Sequence, residues 1–123
     1  AHISKVSIWF GTANTVTPLH YDSYNNFFVQ IAGFKYVVMF PQHESEQLYP
    51  IVDSKYASQG NISAVDIRNP DLSEYPLYPT AVVYRLLVKP SDTLFIPKGT
   101  WHFVQSLTPS LSLNFFWSIK SSD

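Results

Sequence analysis

Between Pro41 and Thr80 the chain carries five prolines, Pro41, Pro50, Pro70, Pro76 and Pro79. Proline has no N–H to give to a ladder, so a stretch this rich in it does not read as a central strand. On both sides of it the apolar residues are β-branched or aromatic and recur at short period, the signature of strands. Four strands are expected before it, at Lys5–Gly11, Val16–Asp22, Asn26–Ala32 and Phe34–Phe40. Four more are expected after it, at Val82–Lys89, Thr93–Ile96, Trp101–Leu107 and Leu111–Ser118. Two groups of four short strands predict an all-β protein, a double-sheet jelly roll or a small barrel.

The proline-rich insert is long for a compact domain, and such connections are often functional. Within it, Pro41–Leu48 reads as a short helix, and Asn69-Pro70 as an N-cap followed by a first helical residue. Its tyrosines, Tyr49, Tyr56, Tyr75 and Tyr78, are expected to pack it onto the outside of the sheet, away from any ligand set.

A length of 123 residues fits one domain, and 46% hydrophobic with 16% aromatic residues is enough for a single core. A formal charge of −1 with no run of one sign argues against a nucleic-acid footprint. The absence of cysteine excludes disulfides and any cysteine-ligated zinc or iron–sulfur site, and suits a reducing compartment, cytoplasmic or nuclear. No apolar run approaches the roughly 20 residues of a membrane span. No signal-peptide pattern is visible, so the sequon Asn61-Ile62-Ser63 carries little weight. The chain starts at Ala1, without an initiator methionine and almost at once in a strand, and reads as a piece of a longer protein. The oligomeric state is not legible.

The segment "TPLHYD" places His20 and Asp22 two residues apart on an expected strand, hence on one face. His102 falls in the seventh expected strand, which in a jelly roll can lie beside the second. Two imidazoles and a carboxylate capping one face of a metal leave positions open, as non-haem Fe(II) oxygenases require. Zinc with three protein ligands is the competing assignment. His-x-Asp alone is common by chance, and the case grows with His102. His2 and His43 have no such partners and read as surface residues.

Lys35 is a second signal. In "FKYVVMF" it shares a face with Val37 and Met39, where an ammonium needs an anionic partner unless its stem snorkels to water. A dicarboxylate that chelates the metal at one end could pair with Lys35 at the other. Thr17 and Asn26 lie near strand ends where a hydroxyl and an amide could complete that pocket. Asn114, in "LSLNFFWS", is a polar residue on a buried-looking strand and needs a partner.

Taken in order, "TPLHYDSYNNFFVQIAGFKYVVMFP", "QLYP", "NPDLSEYPLYP", "LFIPKGTWHFVQSL" and "LNFFWS" resemble the JmjC domain. The resemblance runs from about Val6 to Ser118. Within the family it resembles more closely the small hydroxylases, JMJD5-like and factor-inhibiting-HIF-like. It implies a double-stranded β-helix of the cupin kind and an Fe(II)- and 2-oxoglutarate-dependent oxygenase that consumes O₂. It implies His20, Asp22 and His102 as the iron ligands and Lys35 as the partner of the distal carboxylate of 2-oxoglutarate. Thr17 and Asn26 are implied to line the same pocket, and Asn114 matches the asparaginyl-hydroxylase branch. Trp9 matches an active-site tryptophan of the JMJD5-like group, or is a core residue. The implied partner is a protein or peptide substrate, hydroxylated on a side chain with release of succinate and CO₂. N-methyl-lysine demethylation by the same oxidant and a catalytically silent binding module are the alternatives. Two departures are a tyrosine that relatives supply from an upstream strand and the helices beyond the last strand by which some dimerise. Neither has a counterpart between Ala1 and Asp123.

Overall fold

The computed structural model describes residues 2–53 and 58–119. Among these residues ten strands form, all of their pairings antiparallel. They are β1 (His2–Gly11), β2 (Val16–His20), β3 (Asn25–Ala32), β4 (Lys35–Phe40), β5 (Pro50–Asp53), β6 (Ser58–Ser63), β7 (Tyr84–Val88), β8 (Thr93–Ile96), β9 (Trp101–Ser106) and β10 (Ser110–Ser118). One sheet has the order β1-β10-β3-β8 and the other β5-β6-β2-β9-β4-β7. Two such sheets, with chain neighbours shared between them, make the double-sheet jelly roll that the strand pattern predicts.

The alternation of β4 shows how the layers are built. Val37 and Met39 point inward and pack with Phe28 of β3, Ile96 of β8 and Val88 of β7, which closes one end of the space between the sheets. Val38 and Phe40 point outward and form a second cluster with Leu19, Leu48, Trp101 and Phe103. That outer cluster is roofed by Ile67, Tyr78 and Ala81. Ile67 and Tyr78 of the long connection thus lie against the outer face of the six-stranded sheet. Tyr78 lies against Phe40, and Tyr49 against Tyr75 (ring centroids 6.1 and 4.9 Å apart). Tyr56 lies outside the described residues.

The connection is nevertheless no strandless strap. β5 and β6 extend the six-stranded sheet, and β6 is internal to it, pairing with β2 at His20↔Ile62. The proline argument fails here for a local reason: β6 contains no proline, and Pro50 starts the edge strand β5, where a missing N–H is tolerated. The expected helix over Pro41–Leu48 is a 3-10 helix over Gln42–Leu48, from which Ser45 Oγ accepts the indole N–H of Trp101 at 2.8 Å. No helix begins at Pro70. Asp71 instead closes a turn, accepting from the backbone N–H groups of Ser73 and Glu74, and a 3-10 turn follows at Tyr78–Thr80.

Candidate metal centre and cosubstrate cavity

β2 and β9 are neighbours, and His20 stands directly opposite His102 in their ladder. The rings are 4.4 Å apart between centroids. Each imidazole is oriented through its Nδ1, which lies 2.9 Å from a backbone carbonyl two residues earlier, Pro18 for His20 and Thr100 for His102. With the Nδ1 proton donated there, both Nε2 lone pairs turn to the same point. Asp22 meets them, with Oδ1 3.6 Å from His20 Nε2 and Oδ2 3.5 Å from His102 Nε2. One ligand atom from each of the three lies within 4.8 Å of the others.

Asp22 does not reach this point by strand alternation, because β2 ends at His20. It sits just beyond, where its carbonyl accepts from Gly99 N–H and the preceding Tyr21 N–H donates to Asn61 of β6, both at 3.0 Å. Gly99 adopts φ +80, a left-handed turn in which a Cβ would meet the Gln42 side chain at 2.7 Å. The carboxylate is therefore set by two loops and β6 as well as by its own strand.

Charge follows from this packing. Burial and the adjacent His102 hold the His20 imidazole below its ordinary pKa, against the opposing pull of the Pro18 carbonyl and Asp22. Burial pushes the Asp22 carboxyl up, but the His102 hydrogen bond and the charges of His20, His102 and Lys5 outweigh it. The net effect is a carboxylate below its usual range. A neutral His20 imidazole and an ionised Asp22 carboxylate are the protonation states in which these two groups bind a divalent cation.

A cavity of about 430 Å³ opens from this centre, and Thr17, Asn26, Lys35, Asn114 and Trp9 all line it. Lys35 is buried, at 6% exposure, on the inward face of β4. Its ammonium donates to Ser112 Oγ at 2.8 Å and lies 5.1 Å from the centre of the Phe28 ring. No carboxylate pairs with it among the described residues, and burial lowers its pKa. Asn26 is also buried, and its Oδ1 meets no donor among the described residues. A buried cation and an orphaned acceptor on one cavity wall call for a ligand. In the orientation that suits its neighbours, the Asn114 amide accepts from Trp9 Nε1 at 3.2 Å and donates to Leu113 O at 3.1 Å. Trp9 is half exposed, which removes the core reading and leaves it on the cavity rim.

Ser112 is absent from the residues the sequence singled out. The signal was present, since Ser112 stands two residues before Asn114 and shares its face. His43 is exposed and pairs with Glu44 at 3.5 Å, apart from the triad. The side chain of His2 lies outside the described residues.

The cupin-like domain family matches residues 2–123. This chain belongs to that family. The relatives of this cupin-like domain are JmjC proteins. It is 44% identical over 126 residues to "JmjC domain-containing protein F" of Dictyostelium discoideum, covering 92% of this chain and 26% of that protein. It is 43% identical over 109 residues to "JmjC domain-containing protein D" of the same organism, covering 89% and 24%. To "Lysine-specific demethylase 8" of Xenopus tropicalis it is 40% identical over 113 residues, covering 92% and 25%. The cupin-like domain thus spans about a quarter of the length of these relatives. No helix among its described residues is long and apolar enough to cross a membrane.

Proposed function

We propose that residues 1–123 form one JmjC-type domain, the catalytic part of an Fe(II)- and 2-oxoglutarate-dependent oxygenase that hydroxylates a protein side chain. The observation that carries this is the arrangement within one cavity. Three metal-competent donors converge near Asp22, and a buried ammonium with no carboxylate partner among the described residues stands on the wall at Lys35. The chemistry of the donor set fits a redox-active divalent metal with open positions better than a closed structural site.

In this reading His20, Asp22 and His102 hold Fe(II), with the two Nδ1–carbonyl contacts fixing the imidazole orientation. Lys35, braced by Ser112, pairs with the distal carboxylate of 2-oxoglutarate, and Thr17 and Asn26 supply a hydroxyl and an amide beside it. Asn114 holds the Trp9 indole at the rim, which orients whatever enters from that side. Bound iron and 2-oxoglutarate, with O₂, supply the oxidation of a substrate C–H bond, releasing succinate and CO₂. The protein's own part is to place the cosubstrate and keep water from the apolar wall formed by Phe28, Ile96 and Val104. A cytoplasmic or nuclear setting suits a chain without cysteine.

The test is anaerobic addition of Fe(II) and then 2-oxoglutarate. A visible metal-to-ligand charge-transfer band, followed by peptides gaining one oxygen in air, supports the hydroxylase. A folded, metal-loaded chain with no such band is a binding module instead. Relatives carrying the name lysine-specific demethylase favour a second reading, removal of a methyl group from lysine. Loss of one methyl with release of formaldehyde would select it.

A further inference from the structure

We propose that Gln30 and Ser112 are positioning residues that hold the Lys35 ammonium at one depth in the cosubstrate cavity, and that this hold selects the chain length of the 2-oxo dicarboxylate bound there. The proposal rests on the oxygenase reading above and deepens its cosubstrate site. Neither residue belongs to the metal cluster, and neither lines the cavity. Both act through Lys35.

A lysine ammonium rides on a flexible four-carbon stem and reaches many points unless both ends of the stem are fixed. The turn before Lys35 fixes the base. Gln30 is fully buried, and its Nε2 donates to the carbonyls of Ala32 at 2.8 Å and Gly33 at 2.9 Å. The carboxamide thus spans the turn from the inside. On the other side the Phe34 N–H donates to Thr108 Oγ1 at 3.0 Å, and the Phe34 carbonyl accepts from Leu107 N–H at 2.9 Å. Lys35 follows directly and enters β4 between Ser106 of β9 and Val88 of β7.

Ser112 fixes the tip. It is fully buried, and its Oγ accepts from the ammonium at 2.8 Å. In the β10–β3 ladder Ser112 stands directly opposite Gln30, so the two side chains share the inner face of the sheet. Their remaining polar groups are complementary. Among the described residues Gln30 Oε1 meets no donor, and the Ser112 hydroxyl donates to no acceptor. An orphaned acceptor and an unassigned hydroxyl hydrogen on one cross-strand pair make Gln30 the support of the hydroxyl that steers Lys35. One side chain therefore serves both ends of the lysine. An ammonium fixed in this way pairs fully with a carboxylate at one distance from the metal end, whereas a loose one follows carboxylates of several lengths.

The experiment is calorimetry of the Mn(II)-loaded chain, which binds 2-oxo acids without turnover. The ligands are 2-oxoglutarate, 2-oxoadipate (one methylene longer) and 2-oxopentanoate, in which a methyl group replaces the distal carboxylate. The parent is expected to favour 2-oxoglutarate over 2-oxoadipate by about tenfold or more. Gln30→Met and Ser112→Ala should each weaken 2-oxoglutarate by about tenfold, the loss of a hydrogen bond to a charged group. Their affinities for 2-oxoadipate, 2-oxopentanoate and Mn(II) should stay within about twofold of the parent's, so the chain-length preference collapses. Where Gln30→Met does not fold, Gln30→Glu, of the same shape and with at most one hydrogen to give the turn, is read the same way. An equal loss for both dicarboxylates marks a merely structural role and overturns the proposal, as does a preference that survives in the Gln30 variant or in Ser112→Ala. A parent that binds no 2-oxoglutarate sinks the oxygenase reading and this proposal with it. A parent that binds 2-oxoglutarate and 2-oxoadipate equally well sinks this proposal alone.

Discussion

His20 and His102 stand opposite each other across the β2–β9 ladder, each tethered through Nδ1 to the carbonyl two residues before it. The same local motif at two positions separated by 82 residues produces one converging pair of Nε2 atoms. Asp22 closes the set, and it is the single anionic group there.

Asp22→Ala should abolish 2-oxoglutarate turnover while leaving the fold intact, because the carboxylate is partly exposed and lies past the end of β2. Two neutral imidazoles hold a divalent ion far less tightly than the three-ligand set, and nothing else among the described residues offers a carboxylate at that point. Succinate production at saturating Fe(II), alongside an unchanged circular dichroism spectrum, is the measurement. Turnover near that of the parent would mean that the metal lies elsewhere.

Lys35→Ala should weaken 2-oxoglutarate binding more than metal binding. Removing one member of a buried charge pair costs on the order of 2–5 kcal/mol, which is about thirty-fold or more in affinity. Ser112→Ala, which removes only the hydroxyl brace at 2.8 Å, should have a smaller effect in the same direction. Calorimetric titration of both variants, metal-loaded and anaerobic, ranks them. An unchanged affinity in Lys35→Ala would detach this lysine from the cosubstrate.

Metal-free protein should lose thermal stability as the pH falls below the ordinary imidazole value of 6.5. Burial and His102 depress the His20 pKa, so in this range the unfolded chain binds more protons than the folded one. Stability therefore rises with pH up to about the unfolded value, and is progressively withdrawn down to the folded one. Melting temperatures of the chelator-treated parent and of His20→Asn, from pH 7.5 to 5.5, test it. The slope should flatten in the variant, and an identical slope would assign it to other groups.

Gly33→Ala should destabilise the fold strongly. Gly33 has φ +75, and a Cβ there would clash with the Pro109 carbonyl oxygen. The backbone strain alone costs about 1–3 kcal/mol, and the contact with main-chain oxygen adds to it. The turn also carries Lys35 two residues later, so chemical denaturation and 2-oxoglutarate affinity should fall together. A variant as stable as the parent would show that this turn can relax.

His43→Ala should keep metal affinity close to that of the parent. His43 is exposed, pairs with Glu44, and takes no part in the three-residue cluster. A large loss of metal with the fold preserved, read by equilibrium dialysis and circular dichroism, would mean that the wrong histidines hold it.

What the sequence by itself determined is the strand content and the all-β jelly-roll class. Short-period β-branched runs can bury a face only as strands, and all eight expected strands are present with ends shifted by a few residues. His20, Asp22, His102 and Lys35 stood out only weakly by themselves, since His-x-Asp is common by chance and a strand lysine can snorkel to water, and it was the ordered resemblance that set them apart. Two features belonged to the tertiary structure alone. The first is β6, whose polar sequence, Ser58–Ser63, carries no strand signal and pairs because β2 presents an open edge. The second is the face that each residue of β2 presents. Thr17 lies opposite Val104 and His20 opposite His102, so three steps on β2 match two on β9. Strict alternation would set Thr17 beside Leu19 and turn it away from His20. The irregularity between Thr17 and His20 lets both face the cavity, while Leu19 remains in the outer cluster against Trp101 and Phe103. A register slip of this kind is decided by the packing of both sheet faces at once, which no window of sequence contains.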